Sequence, residues 1–401
     1  WHKWLPGFEK QHPNIHVNVL QEDQSNDYAK YTSAITGNKA PDLMLTYSYP
    51  IIPTWAASGF LKPMNPYLKQ LGFKDKSFFP IAQQMDTYKG KTYGLLQAYD
   101  DLLFVWNKDA FKKAGLNPND PPHTIAQMNA DAKKLTVVKN GTLEQAGFIP
   151  FIGAGTLDMW DDLYGGTIFS KGKFHLDSPQ MQEAMQLQLN YVKMLGGPTA
   201  WQKFYDKAIG SSAVNVGNPN GVTPETSKTN PFYTGQLAME LVGDYYPNAY
   251  YNVYDKGLNF GESSPPVGPG VTYGSDPATG GDVFAIPEDS QHPLQAAQLA
   301  VYLDGAGPAL DWDKLESNMP PIASLLHSKK FATEVPTEAP SLVALDKNVA
   351  IPPPTSPVWS QVQTSYLAPV ESSLGLERIT ANAGAKQVQQ QATQAAQRFN
   401  R

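Results

Sequence analysis

The stretch that decides the fold runs from Tyr88 to Leu116 and reads YKGKTYGLLQAYDDLLFVWNKDAFKKAGL. Gly90 and Gly94 bracket a tight turn, and the apolar run LLFVW at 102–106 has the length and residue types of a buried strand. Asn107 is placed to cap a short helix that Gly115 closes, because glycine tolerates the left-handed conformation that follows a helix. Asp100 and Asp101 therefore fall at the mouth of a strand, where the chain is expected to cross from one body of the protein to another.

Working outward, 401 residues exceed what one hydrophobic core usually serves, so two domains are expected. The net charge of −6 is mild and no basic run accompanies the aromatics, which argues against a nucleic-acid partner. The absence of cysteine removes disulfides, thiolate nucleophiles and cysteine metal sites together. No apolar run approaches the roughly 20 residues that span a bilayer. No signal-peptide pattern occurs in the sequence, so any targeting segment is expected to have been removed.

The first hundred residues alternate helix and strand. Trp1, Trp4, Leu5 and Phe8 share a helical face that stops before Pro13, and Ile15, Val17 and Val19 alternate as a strand does. Tyr28, Tyr31 and Ile35 give a second helical face closed by Gly37, and 42–47 is again strand-like. Such a β/α pattern normally builds a sheet of parallel strands with helical crossovers. It normally begins with a strand, so a first strand is expected ahead of Trp1. Farther on, Thr124 and Gln127 form a capping-box pair, and Ser178-Pro179 opens the clearest helix, stopped by Gly196-Gly197-Pro198. Residues 211–230 have loop composition, and a Gln/Ala-rich helix runs over 380–399 with Val388, Ala392, Ala395 and Phe399 as its apolar stripe.

Seven segments, in order, resemble the extracellular solute-binding proteins of ABC importers, in particular the sugar-binding group that includes maltodextrin-binding protein. They are FEKQHPNIHVNV (8–19), APDLMLTY (40–47), ASGFLKPM (57–64), YKGKTYGL (88–95), VWNKDAFKKAGL (105–116), FYTGQLAMELVGDYY (232–246) and GGDVFAIPEDSQHP (280–293). The resemblance implies an α/β, two-lobed periplasmic-binding-protein-like fold, each lobe a sheet flanked by helices. Lobe one would be 1–107 and 257–315, and lobe two 108–256 and 316–401. Hinge strands are expected near 105–108, 258–262 and 316–322, with ligand in the cleft between lobes. It also implies an extracytoplasmic protein, periplasmic or lipid-anchored at the cell surface. Such a protein, expected to be monomeric and to need no cofactor, delivers a carbohydrate to membrane permease subunits.

The chemistry of the residues agrees with a sugar. A pyranose offers a C–H face that suits an aromatic plane and a rim of hydroxyls that need partners, since an unpartnered buried hydroxyl costs about 1–3 kcal/mol. Aromatics and carboxylates occur together at Tyr47-Ser48, Asp100-Asp101, Trp160-Asp161, Asp244-Tyr245-Tyr246 and Gly281-Asp282. By resemblance, Tyr47 falls where the family has an aromatic or polar cleft residue, and Asp100 matches an acidic contact before the hinge. Tyr245 matches a stacking aromatic where many relatives carry Trp. Gly281 and Asp282 match a cleft-lining turn, and Trp160 matches approximately.

Each of these has a structural competitor. Asp100 and Asp101 could be a solvated pair, Asp161-Asp162 a helix start, and Tyr245-Tyr246 core aromatics. Trp55, Trp106 and Trp312 are assigned to packing, while Trp201 and Trp359 stay open. A glycoside hydrolase needs two carboxylates at set separations, but neighbours such as Asp100 and Asp101 point to opposite faces of a strand. A binding protein for a polyol or peptide is the other alternative. His12 and His16 are separated by Pro13 and do not share a helical face, so no metal is expected. Gly153-Ala154-Gly155 lacks the lysine and further glycine of a phosphate-cradling loop. No enzyme is expected.

Overall fold

A computed structural model describes every residue except 21–26, 48, 74–77, 210–229, 253–254, 317, 336–338 and 401. The chain divides into two compact units: Trp1–Asp100, Gly280–Glu338 and Pro352–Trp359 make the first, and Asp101–Thr279, Ala339–Ile351 and Ser360–Arg401 the second. Ser48, and all of the expected 211–230 loop but Asn230, lie outside the described residues.

In the first unit, the hairpin of Thr87–Tyr88 and Lys91–Thr92 turns through Lys89 and Gly90, at φ +47° and +75°. Two successive positive φ values match the right-handed twist of the flanking strands. Gly94 then opens the long strand Gly94–Asn107; a Cβ there would lie 2.5 Å from Val283 Cγ1, so glycine permits this approach. Met44–Thr46 pairs antiparallel with the end of the Asp276–Ala285 strand, Met44 opposite Ala285 and Thr46 opposite Val283. Phe8, Met44, Trp55, Met64, Leu95, Leu96 and Val283 are buried around them.

Helix Leu5–Gln11 buries Leu5 and Phe8 as the spacing predicts, with Trp1 and Trp4 in the turn before it. The expected strand at Ile15, Val17 and Val19 does not form; residues 15–20 carry no regular secondary structure, with Val19 and Leu20 exposed. Alternation buries a face only when a neighbouring strand completes the backbone bonds, and no described strand pairs here. His12 packs on Phe8 while His16 Nδ1 meets Glu9 Oε1 at 2.9 Å, so the two histidines have different partners.

In the second unit, the latter half of Gly94–Asn107 is a central strand. Met239–Gly243 pairs on one side (Leu102 with Gly243, Trp106 with Met239) and Phe260–Ser263 on the other (Phe260 with Asn107), both antiparallel. A strand buried on both faces accounts for the uninterrupted apolar run at 102–106. The caps are as expected. Asn107 Oδ1 accepts from Ala110 N, Thr124 and Gln127 form a complete capping box, and Ser178 and Thr380 cap the helices Pro179–Met194 and Ala381–Phe399. Trp201 and Trp359 are fully buried.

The chain passes between units at 100/101 and 279/280, then at 338/339, 351/352 and 359/360. These positions differ from the expected 107, 257 and 315. The reason is that Phe260–Ser263 hydrogen-bonds to residues 104–107, which ties 257–279 to the second unit.

Candidate functional site

In the first unit, four of the sequence-predicted residues gather around one that was assigned to packing. Trp312 lies on helix Ala306–Glu316, half-buried. Its indole stacks on Trp1 at 4.4 Å and 5°, and the ring of Tyr47, 37% exposed, lies 6.5 Å away at 24°. Trp312 Nε1 donates to Asp282 Oδ2 at 2.7 Å, so a carboxylate fixes the edge of the indole. Asp282 is buried, and its carboxyl is held well above the usual range by burial and by the neighbouring Asp100. Burial and Glu316 push Asp100 up to about 7, and Asp100 Oδ1 is a buried oxygen that accepts no hydrogen bond among the described residues.

Gly281 serves the backbone. At φ +151° it brings its strand so close to the neighbouring one that a Cβ would lie 2.4 Å from the Ala98 carbonyl oxygen. Sequence reasoning missed Trp312, Asp313 and Glu316. The available signal was their spacing: 312 and 316 are one helical turn apart, and 313 lies beside them on the same side of the helix.

In the second unit, Asp101 is fully buried. Its Oδ1 accepts from Ser341 Oγ at 2.6 Å, and its carbonyl accepts from Asp244 N at 3.2 Å and Thr279 Oγ1 at 3.4 Å. Asp101 therefore ties strand to strand and strand to helix, with its Oδ1 held by Ser341 and its carboxyl beside the buried Asp276. Asp244 is likewise fully buried, directly after the Met239–Gly243 strand.

Tyr245 and Tyr246 are half-buried, with ring centroids 5.2 Å apart, and Tyr250 lies 4.9 Å from Tyr246. The Tyr245 ring covers Gly243, where a Cβ would sit 2.4 Å from Tyr245 Cε1. These tyrosines present a partly accessible aromatic surface. Tyr251 beneath them is buried and donates to Glu240.

Trp160 is corrected. It is fully buried, donates from Nε1 to the carbonyls of Pro150 (2.8 Å) and Gly155 (3.1 Å), and meets Phe148 edge-on, so it is a core residue. Helix Leu157–Leu163 is buried along its whole length, carrying Asp161 inward with it. Asp161 Oδ1 accepts from Ser178 Oγ at 3.2 Å, Oδ2 has no hydrogen-bond partner among the described residues, and burial pushes its carboxyl up to about 7. Among the described residues, no group of three His, Asp or Glu side chains is arranged to hold a metal ion, and no helix is long and apolar enough to cross a membrane.

Across 98% of this chain and 95% of the other, the fold matches a solved protein described as CpMnBP1 with mannotriose bound, at a TM-score of 0.80 and 26% identity. It also matches UgpB from Mycobacterium tuberculosis in complex with glycerophosphocholine, over 100% and 95% of the two chains, at a TM-score of 0.77 and 17% identity. A curated relative, the sn-glycerol-3-phosphate-binding periplasmic protein UgpB of Yersinia enterocolitica, is 26% identical over 184 residues; the match covers 45% of this chain and 41% of that relative's length. The two solved proteins have the periplasmic-binding-protein-like architecture expected from the sequence, and the family whose sequence pattern matches residues 3–339 is described as bacterial extracellular solute-binding protein. With most of its 401 residues inside that match, the chain belongs to the bacterial extracellular solute-binding protein family.

Proposed function

We propose that this protein captures a carbohydrate, a mono- or oligosaccharide, outside the cytoplasm by hinge closure and delivers it, without chemical change, to the permease of an ABC importer. The observation that carries the reading is the Trp312 platform. A flat indole, backed by Trp1, has Asp282 bonded to its edge, with Tyr47 nearby and Asp100 acting on the Asp282 carboxyl. A sugar ring can rest its C–H face on such a plane and offer hydroxyl donors to carboxylate oxygens, above all the unpartnered Asp100 Oδ1. The tyrosines at 245 and 246 offer a second aromatic surface in the other unit. A solute that binds the closed state more tightly shifts the population toward it, and about 5.5 kcal/mol of differential affinity takes 1:99 to 99:1.

Thermal-shift measurement against mono- and oligosaccharides, polyols, amino acids and peptides tests the reading. A solute at 100 times its Kd adds about 2.7 kcal/mol of stability. Recovery of the bound sugar intact after long incubation separates a receptor from a glycoside hydrolase. Isothermal titration of Tyr245→Ala then checks the second surface: about tenfold weaker binding is expected, in line with the roughly 0.5–1.5 kcal/mol of one aromatic contact. Wild-type affinity in that variant removes Tyr245 from the site.

A further inference from the structure

Two indole–carboxylate hydrogen bonds hold two tryptophans of the first unit. Trp312 Nε1 donates to Asp282 Oδ2 at 2.7 Å, and Trp4 Nε1 donates to Asp311 Oδ2 at 2.8 Å. Asp311 precedes Trp312 on helix Ala306–Glu316, and Lys3 Nζ also meets its Oδ2, at 2.6 Å. The turn that carries Trp1 is therefore anchored to the helix that carries Trp312, and the two rings stack at 4.4 Å and 5°. Trp1 also packs on Phe284, with ring centroids 5.9 Å apart. Asp282 and Phe284 are two residues apart on one strand, so their side chains leave the same face of the sheet. The register that sets Thr46 opposite Val283 carries Tyr47 to the level of Asp282. Strand, turn and helix thus close a frame around one indole. Exposure divides its members: Tyr47 is 37% exposed and Trp312 half-buried, whereas Asp282 and Phe284 are each 2% exposed.

We propose that Asp282 is a positioning residue: it meets no solute and acts through Trp312, fixing the plane of that indole before any solute arrives. The inference rests on the solute-capture reading above and adds to it a division between side chains that touch the solute and side chains that hold them. A tryptophan with no such support swings about both of its side-chain torsions, and ordering it on binding subtracts from the affinity. Here the stack on Trp1 fixes the plane of the ring, and the bond to Asp282 fixes its rotation within that plane. The accepting carboxyl is itself held, because Gly281 lets the backbone beside it close on the neighbouring strand, where a Cβ would lie 2.4 Å from the Ala98 carbonyl oxygen. With Oδ2 occupied by the indole and the side chain buried, Asp282 contributes order rather than contact.

The test is a double-mutant cycle with mannotriose, the sugar named with one of the solved proteins of this fold, as the probe. Asp282→Leu removes the acceptor, and Trp312→Phe keeps an aromatic ring but removes the donor. In isothermal titration Asp282→Leu is expected to weaken binding roughly threefold to tenfold, the cost of ordering one freed side chain. It should cost less than about twofold when Trp312→Phe is already present, because a residue that acts through another has nothing left to act on. Asp282→Asn, whose amide oxygen still accepts, should bind within about twofold of wild type. The unliganded protein gives an independent measurement. The Trp312 indole proton, identified among the eight tryptophans by its loss in Trp312→Phe, should exchange about tenfold more slowly in wild type and Asp282→Asn than in Asp282→Leu. Wild-type affinity in Asp282→Leu, losses that add in the double variant, or an Asn variant no better than Leu overturns the positioning role. So does rapid exchange of that proton in the wild-type protein, which requires no variant to fold. No heat from mannotriose with wild type counts against capture of that sugar, and the exchange rates then decide the positioning role by themselves.

Discussion

Glu371 offers the sharpest test of how burial governs charge in this protein. It lies on helix Ala368–Gly375 of the second unit, 2% exposed, and Gln188 Nε2 on helix Pro179–Met194 donates to its Oε1 at 2.6 Å. Burial pushes its carboxyl from 4.5 up to about 8, against the opposing pull of the Gln188 hydrogen bond. At pH 7 the folded protein therefore carries this group protonated, whereas the unfolded chain carries it ionised. Taking up that proton across roughly 2.5 pH units, at about 1.4 kcal/mol per unit, costs on the order of 3 kcal/mol. Glu371→Gln keeps the shape and needs no proton. One imperfect hydrogen bond takes back about 1 kcal/mol, and Gln188, whose Oε1 is buried and unpartnered, can turn its amide to meet the new donor. The net gain is about 2 kcal/mol at pH 7, a rise in Tm of roughly 5 °C for a unit of this size.

The sign follows from linkage. A carboxyl whose folded pKa is raised favours folding most below about pH 4.5, where both states are protonated, and that contribution drains away as pH rises to about 8. The variant's advantage should therefore be absent at pH 4 and grow through neutrality. Calorimetry or urea melts of both proteins from pH 4 to 8 decide it. A variant destabilised equally at pH 4 and pH 7 would show that Glu371 is not held neutral by burial.

Two further outcomes follow from the same packing. Trp160→Phe removes the N–H that satisfies two buried carbonyls and should cost about 1–3 kcal/mol in urea melts while leaving solute affinity within twofold; lost affinity at unchanged stability would return Trp160 to the binding surface. Gly281→Ala forces a Cβ against the Ala98 carbonyl at a φ that disfavours side chains, so a loss of about 1–3 kcal/mol is expected, and a Tm equal to wild type would refute the close approach.

Comparing the residues one by one separates local from tertiary information. The caps at Asn107, Thr124, Ser178 and Thr380 were readable because a cap is settled by a side chain and an amide two or three residues away. The strand at 102–106 was readable because burial on both faces leaves an unbroken apolar run. The segment 15–20 misled, because alternation states which face would be buried but not whether a neighbour exists to bury it. Trp160 and Asp161 were misassigned for a related reason: a Gly-rich turn beside an aromatic and a carboxylate reads the same whether it faces solvent or core, and here the whole helix faces the core.

Local sequence was enough for the capped helices, the buried central strand and, through the order of seven segments, the family. Those features depend on contacts within a few residues or on a pattern repeated along the chain. Packing between distant segments settled that Ser341 donates to Asp101, and that Asp282 holds the indole edge of Trp312, two hundred residues from Asp100. A carboxylate's role is set by what lies within a few ångströms of its oxygens, and residues far apart in sequence supply that neighbourhood.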